Sequence, residues 1–141
     1  MHIPPGFTTV FPYIFATDAR NYLTFLVQGL GGETLHVLAS PDGTVRNAHV
    51  RFGDTTIMVS EARDGFQPSR GTYYLYVEDA DALYSRALTA GATSEQEPKD
   101  EFWGDRTAMV KDPFGNTWSV ATHKEDVSPD EMGRRAAAAM S

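Results

Sequence analysis

The chain contains no cysteine. That excludes a disulfide framework, a thiolate metal site and a cysteine nucleophile. Basic residues are in the minority, 12 against 19 acidic ones, for a net charge of −7. A general nucleic-acid or anionic-membrane surface needs a basic face, so neither partner is expected. Long apolar runs are also missing. Stretches such as Tyr13 to Ala16 and Phe25 to Val27 fall far short of the roughly 20 residues of a membrane span. The opening segment Met1 to Phe7 lacks the basic and apolar regions of a signal peptide, and a cytoplasmic location is the expectation. There is no G-x-S-x-G elbow, no phosphate loop and no dinucleotide fingerprint. The four histidines, His2, His36, His49 and His123, show no H-x-H or H-E-x-x-H spacing.

What remains is a globular composition, 41% hydrophobic and 22% charged, in a chain the size of one ordinary domain over residues 1–141. Phe7 to Ala16 is rich in β-branched and aromatic residues and predicts a strand, with Pro12 marking an irregularity. Asp18 can cap a helix whose buried face is Tyr22, Phe25, Leu26 and Gly29, ended at Gly31-Gly32. Strands are predicted over Glu33 to Leu38, Val45 to Phe52 and Thr55 to Glu61, with turns at Pro41-Asp42-Gly43 and Gly53-Asp54. Ala62 to Gly71 reads as a long loop.

The order then restarts. Thr72 to Val77 predicts a strand. Asp79 or Asp81 caps a helix with an apolar face of Ala80, Leu83, Tyr84 and Ala87. A looser segment covers Thr93 to Glu101, and strands cover Arg106 to Val110 and Thr117 to Thr122. Ser128-Pro129-Asp130-Glu131 is a capping box that opens a short C-terminal helix over 128–139. Sliding the chain by 61 places Tyr13 on Tyr74 and Asp18 on Asp79. Sliding it by 62 places Phe52-Gly53 on Phe114-Gly115 and Thr55 on Thr117. The fold class is therefore α+β, built from two βαβββ modules at 7–62 and 71–123.

The paired modules resemble the vicinal oxygen chelate superfamily, which includes glyoxalase I, bleomycin-resistance proteins and extradiol dioxygenases. Val77-Glu78-Asp79-Ala80-Asp81-Ala82-Leu83, Phe102-Trp103-Gly104-Asp105-Arg106 and Asp112-Pro113-Phe114-Gly115-Asn116-Thr117-Trp118 are similar to its PhnB-like branch. The resemblance implies a cupped, mostly antiparallel sheet that holds a small-molecule ligand, and a homodimer. Metal-dependent members bind a divalent cation through His, Gln and Glu on the first and last strands of each module. Counting from the motifs puts Phe11, Ile57, Thr72 and Ser119 at those four positions. None is a strong ligand, so no metal or other cofactor is expected.

Strand alternation supplies the candidate binding residues. Phe11, Tyr13 and Phe15 share one face of the first strand, and Thr72, Tyr74 and Tyr76 the matching face of the fifth. Thr117, Ser119 and Ala121 share a face of the eighth. These rings either wall a cup or fill the sheet–helix core. Asn47, His49 and Arg51 alternate together. His49 on the cup face is the best general acid/base in the chain, and off it a solvated or satisfied histidine. Arg106 either clamps an anionic ligand group or pairs with Asp105 to pin its loop. Trp103 forms a lid or a dimer contact. His123 reads as a surface or hinge residue, and Trp118 as core.

Two functions fit these residues. One is a metal-independent binder of a small apolar or aromatic molecule, sequestration of the bleomycin-resistance type included. The other is a metal-free isomerase, lyase or cyclase of an oxygenated metabolite, with His49 moving the proton. A divalent-metal glyoxalase-type lyase is a third, weaker fit.

Overall fold

Pro12 sets where the first strand begins. It has no N–H to give to a ladder, so β1 covers only Tyr13–Ala16 and leaves Phe11 outside the strand. The computed structural model describes residues 1–140, in two compact units, one over Met1–Gly71 and the other beginning at Thr72.

In the first unit, β1 is followed by α1 (Ala19–Leu30), β2 (Glu33–Ala39), β3 (Val45–Phe52) and β4 (Thr55–Glu61). The sheet order is β1-β4-β3-β2, with β1 parallel to β4 and the other pairs antiparallel. Asp18 caps α1 as predicted, and the Glu61 carboxylate accepts the Asp18 and Ala19 amides at 2.8 and 2.9 Å. Gly31, at φ 77°, ends the helix in the left-handed region that glycine enters without strain. Tyr22, Phe25, Leu26 and Leu30 of α1 are buried together with Ile14, Ala48, Val50, Ile57 and Val59. One sheet face therefore belongs to the helix, and the alternate residues stand on an open face. The Ala62 to Gly71 loop folds back on β1, where Phe15 N donates to Ser69 Oγ at 2.9 Å and Ser69 N to Phe15 O at 2.7 Å.

The second unit repeats the order with β5 (Thr72–Tyr76), α2 (Ala80–Thr89), β6 (Thr93–Asp100), β7 (Asp105–Lys111) and β8 (Thr117–His123), then α3 (Pro129–Met140). Its sheet order is β5-β8-β7-β6, again with the first strand parallel to the last. Asp79 is the cap of α2, and Thr122 Oγ1 accepts the Ala80 amide at 2.9 Å, the place Glu61 holds in the first unit. Tyr84, expected on the buried face, is only half-buried, while Ala80, Leu83 and Ala87 are buried. The looser segment from Thr93 is a full strand with two register shifts. Its sequence, TSEQEPKD, is that of an edge strand, where charge and proline discourage further pairing.

One sequence inference is corrected by the ladders. Tyr13 lies opposite Met58, and Tyr74 opposite Ser119. The structural offset between the modules is therefore 61 on the last strand too, and the partner of Ser119 is Met58 rather than Ile57. Ile57 is buried on the helix side, 3% exposed. The offset of 62 arose from the loops. β3 and β4 turn through two residues, Gly53 and Asp54, whereas β7 and β8 turn through Asp112 to Asn116. A slip of one residue moves a side chain to the opposite face of a strand.

Candidate functional site

The open face of the first sheet carries Tyr13 and Phe15 from β1, Asn47 and His49 from β3, and Met58 and Ser60 from β4, all set by alternation. Residues two apart on a strand are neighbours on one face, and the Tyr13 and Phe15 rings stack at 4.6 Å with 9° between planes. Phe66 continues the stack on Phe15 at 5.1 Å. The Arg63 guanidinium caps it, 4.4 Å from the Phe66 ring centre. Hydrogen bonds fix the Tyr13 end. Ser60 Oγ donates to Arg46 O at 2.7 Å, so the Tyr13 hydroxyl donates to Ser60 Oγ, also at 2.7 Å. Asn47 Nδ2 in turn donates to the Tyr13 oxygen at 3.2 Å. The rings expected on a cup face are on the open face, and Tyr13 is 41% exposed.

Phe11 is not on that strand. Its ring lies against Phe7 at 4.8 Å, and Phe7 meets His49 edge-on at 4.9 Å. His49 stands on the open face, half-buried, 5.5 Å from the His36 ring across the ladder. It has ring neighbours, and among the described residues no carboxylate is hydrogen-bonded to it.

The open face of the second sheet is organised around one carboxylate. Asp105 begins β7 and is 2% exposed. Its Oδ2 accepts the Tyr74 hydroxyl at 2.6 Å, the Tyr76 hydroxyl at 2.8 Å and the Trp103 indole N–H at 3.2 Å. Its Oδ1 takes His123 Nδ1 at 2.8 Å. Trp103 Nε1 also reaches the Tyr74 oxygen at 3.1 Å. The other nitrogen of His123 faces Asp126 Oδ1 at 2.7 Å. An imidazole between two carboxylate oxygens satisfies both only as the doubly protonated cation. Ser119 is buried opposite Tyr74, and Thr72 is exposed at the end of the same face.

Arg106, Trp103 and His123 have partners that the sequence did not show. Arg106 is no ligand clamp. It alternates to the helix side of β7, where Asp81 of α2 holds its guanidinium at 2.7 and 3.0 Å and Asp100 at 3.2 Å. Its alternative role, pairing with Asp105, fails for the same reason, since neighbouring residues of a strand face opposite ways. Trp103 is tied into the Asp105 cluster. His123, read as surface or hinge, is exposed and also joins that cluster. The signal was present: 119, 121 and 123 continue one alternation, and the ladder sets His123 opposite Asp105.

The electrostatics follow from these contacts. Burial pushes the Asp105 carboxyl up, but bonds from Tyr74, His123, Tyr76 and Trp103 outweigh it and hold the group below its ordinary value of 3.8. The bond to Asp105 first, then that to Asp126, raises His123 above 6.5. Burial and the Asp105 bond raise Tyr74, and the Asp105 bond and burial raise Tyr76, so both stay phenols. A raised histidine stabilises the fold fully below its unfolded value, and that contribution fades as pH rises through the raised value. A lowered carboxylate stabilises above its unfolded value and fades as pH falls through the lowered one. The cluster therefore contributes most between about pH 4 and pH 6.5. Urea midpoints measured from pH 4 to pH 9 should decline on the alkaline side. His123→Gln should flatten that decline, and an unaltered decline in the variant contradicts the assignment.

The residues at the four family metal positions are Phe11, Met58, Thr72 and Ser119, once Ile57 is replaced by its structural counterpart. A phenyl ring, a thioether and two neutral hydroxyls do not make the oxygen and nitrogen donor set that divalent cations select. Among the described residues no three His, Cys, Asp or Glu side chains are grouped to hold an ion.

These features place the chain among known proteins. Residues 8–120 match the model of the Glyoxalase/Bleomycin resistance protein/Dioxygenase superfamily, and the chain belongs to that family. It is 33% identical over 132 residues to the uncharacterised protein Rv0887c of Mycobacterium tuberculosis (strain ATCC 25618 / H37Rv), covering 86% of this chain and 78% of that one. In three dimensions it is similar to TioX from Micromonospora sp. ML1, with a TM-score of 0.69 at 25% identity over 82% of this chain and 98% of that one. TnmS3, an antibiotic-binding protein from Streptomyces sp. CB03234, shares the fold with a TM-score of 0.67 at 24% identity over 88% and 99%. No helix among the described residues is long and apolar enough to cross a membrane.

Proposed function

We propose that this protein binds small planar aromatic molecules on the open face of each of its two sheets, without a metal ion. The observation that carries this is the exposed Tyr13–Phe15–Phe66 stack beside metal positions filled by Phe11, Met58, Thr72 and Ser119. Parallel rings with one edge in solvent offer a further ring the offset geometry that aromatic pairs prefer. The fold shared with an antibiotic-binding protein supports sequestration as the biological use. A PhnB-like placement, a cytoplasmic location and a homodimer complete the proposal. The exposed Leu35, Val37 and Leu38 of edge strand β2 support a second copy.

The reading predicts stoichiometric binding of naphthalene, followed by intrinsic fluorescence. Tyr13→Ala should weaken it roughly tenfold, the scale of one lost ring contact with its buried area. No binding by the native protein, or equal binding by the variant, contradicts it. The enzymatic alternative requires His49 to move a proton. Turnover of a bound compound that disappears in His49→Ala would replace the binding reading with that one.

A further inference from the structure

The Asp105 cluster goes further than an aromatic wall, because it fixes which way two tyrosine hydroxyls point. A buried carboxylate only accepts hydrogen bonds. Both tyrosines therefore spend their single proton on Asp105. Trp103 spends its N–H on Asp105 and the Tyr74 oxygen, and His123 spends both of its N–H groups on Asp105 and Asp126. Every side-chain donor in the cluster is thus directed inward. What faces solvent is acceptor capacity. Tyr74 is 45% exposed and Tyr76 59% exposed. The Tyr76 oxygen has the Tyr74 hydroxyl as a neighbour, but that proton goes to Asp105, and the lone pairs on its exposed side face solvent.

Resting on the binding reading above, we infer that Asp105 is a specificity-determining residue that makes the second sheet's open face an acceptor surface, selecting aromatic ligands that carry N–H or O–H donors and rejecting those that carry carboxylates. A ligand amine or hydroxyl meets a phenol oxygen it can donate to. Beside Tyr74 and Tyr76, away from the Thr72 end of the face, a ligand carboxylate meets lone pairs, with the Asp105 charge behind them, and no proton to accept. Asp105 touches no ligand in this account. It acts through Tyr74 and Tyr76 as a positioning residue. The asymmetry in affinity should be large for one polar group, because a mismatched acceptor pair leaves both sides unsatisfied.

Three probes of one shape test this: naphthalene, 2-naphthylamine and 2-naphthoate, each titrated at neutral pH by fluorescence. The native protein should bind the amine about tenfold more tightly than naphthalene, and the naphthoate at least as much more weakly. Tyr76→Phe removes that acceptor and should erase the preference for the amine over naphthalene. Asp105→Asn supplies a donor and frees a hydroxyl proton, so the amine-to-naphthoate ratio should fall by about tenfold or more. A structural role alone would shift all three probes together. If all three bind and neither variant changes their ratios, or if naphthoate is preferred, the polarity assignment is wrong and the binding reading stands. If none binds, the binding reading fails and this inference with it. Should Asp105→Asn not fold, the Tyr76→Phe ratios decide alone.

Discussion

Gly104→Ala should lower the unfolding free energy by about 4 kcal/mol, the sum of a strained backbone and an unrelieved clash. Gly104 sits at φ 100°, a conformation that side-chain-bearing residues rarely adopt. An added Cβ would land on the Glu125 carbonyl oxygen and against Val127 Cγ2. The carbonyl cannot move cheaply, because Gly104 O accepts the amides of Lys124 at 2.8 Å and Glu125 at 3.2 Å. These bonds join the Glu101 to Asp105 turn to the chain leaving β8. Trp103 and Asp105 flank the glycine and His123 precedes Lys124, so the substitution strikes the cluster from both sides. Urea unfolding followed by circular dichroism measures the loss. A change within about 1 kcal/mol, the range of ordinary surface substitutions and small adjustments, contradicts the clamp.

Asp105→Ala is the second large effect, at about 3 kcal/mol. One carboxylate accepts four donors, and removing it leaves a histidine cation without its buried partner and an indole N–H without its carboxylate acceptor. The loss stays below that of a fully buried ion pair because Tyr74, Tyr76 and His123 reach solvent. His123 retains Asp126, whose side chain is fully exposed and holds it only weakly. The loss should be greatest between about pH 4 and pH 6.5 and should shrink as pH rises through the raised His123 value, where the cation is lost. Urea midpoints at pH 6 and pH 9 measure the difference. A loss that is equal at both values contradicts the charge pairing.

The sequence carried the modules because each rule it used was local. Asp18 announced its helix and the Asp79 or Asp81 pair the second, Gly31 the first helix's stop, and Val45 to Phe52 and Thr55 to Glu61 their strands to the residue. Alternation alone put Tyr13 and Phe15, and Tyr74 and Tyr76, on matching faces. The site was less legible because it depends on ladders between distant residues. Nothing near Asp105 in sequence says that Tyr74, 31 residues away, donates a hydrogen bond to it. Arg106 looked like a ligand clamp only while its partner Asp81, on α2, was out of view. Loop length hid the register of β4, so Ile57 stood where Met58 belongs. β6 was hidden by its own edge chemistry, which imitates a loop.

The most direct test of the central claim uses 2,3-dihydroxynaphthalene, whose adjacent hydroxyls would chelate a protein-bound cation and would also donate to phenol oxygens. It is titrated into the native protein before and after exhaustive treatment with a metal chelator. Metal-independent binding on aromatic open faces predicts the same affinity in both titrations and no gain on adding Mg, Mn, Fe, Ni or Zn. Affinity that collapses after chelation and returns with one of those ions would contradict it.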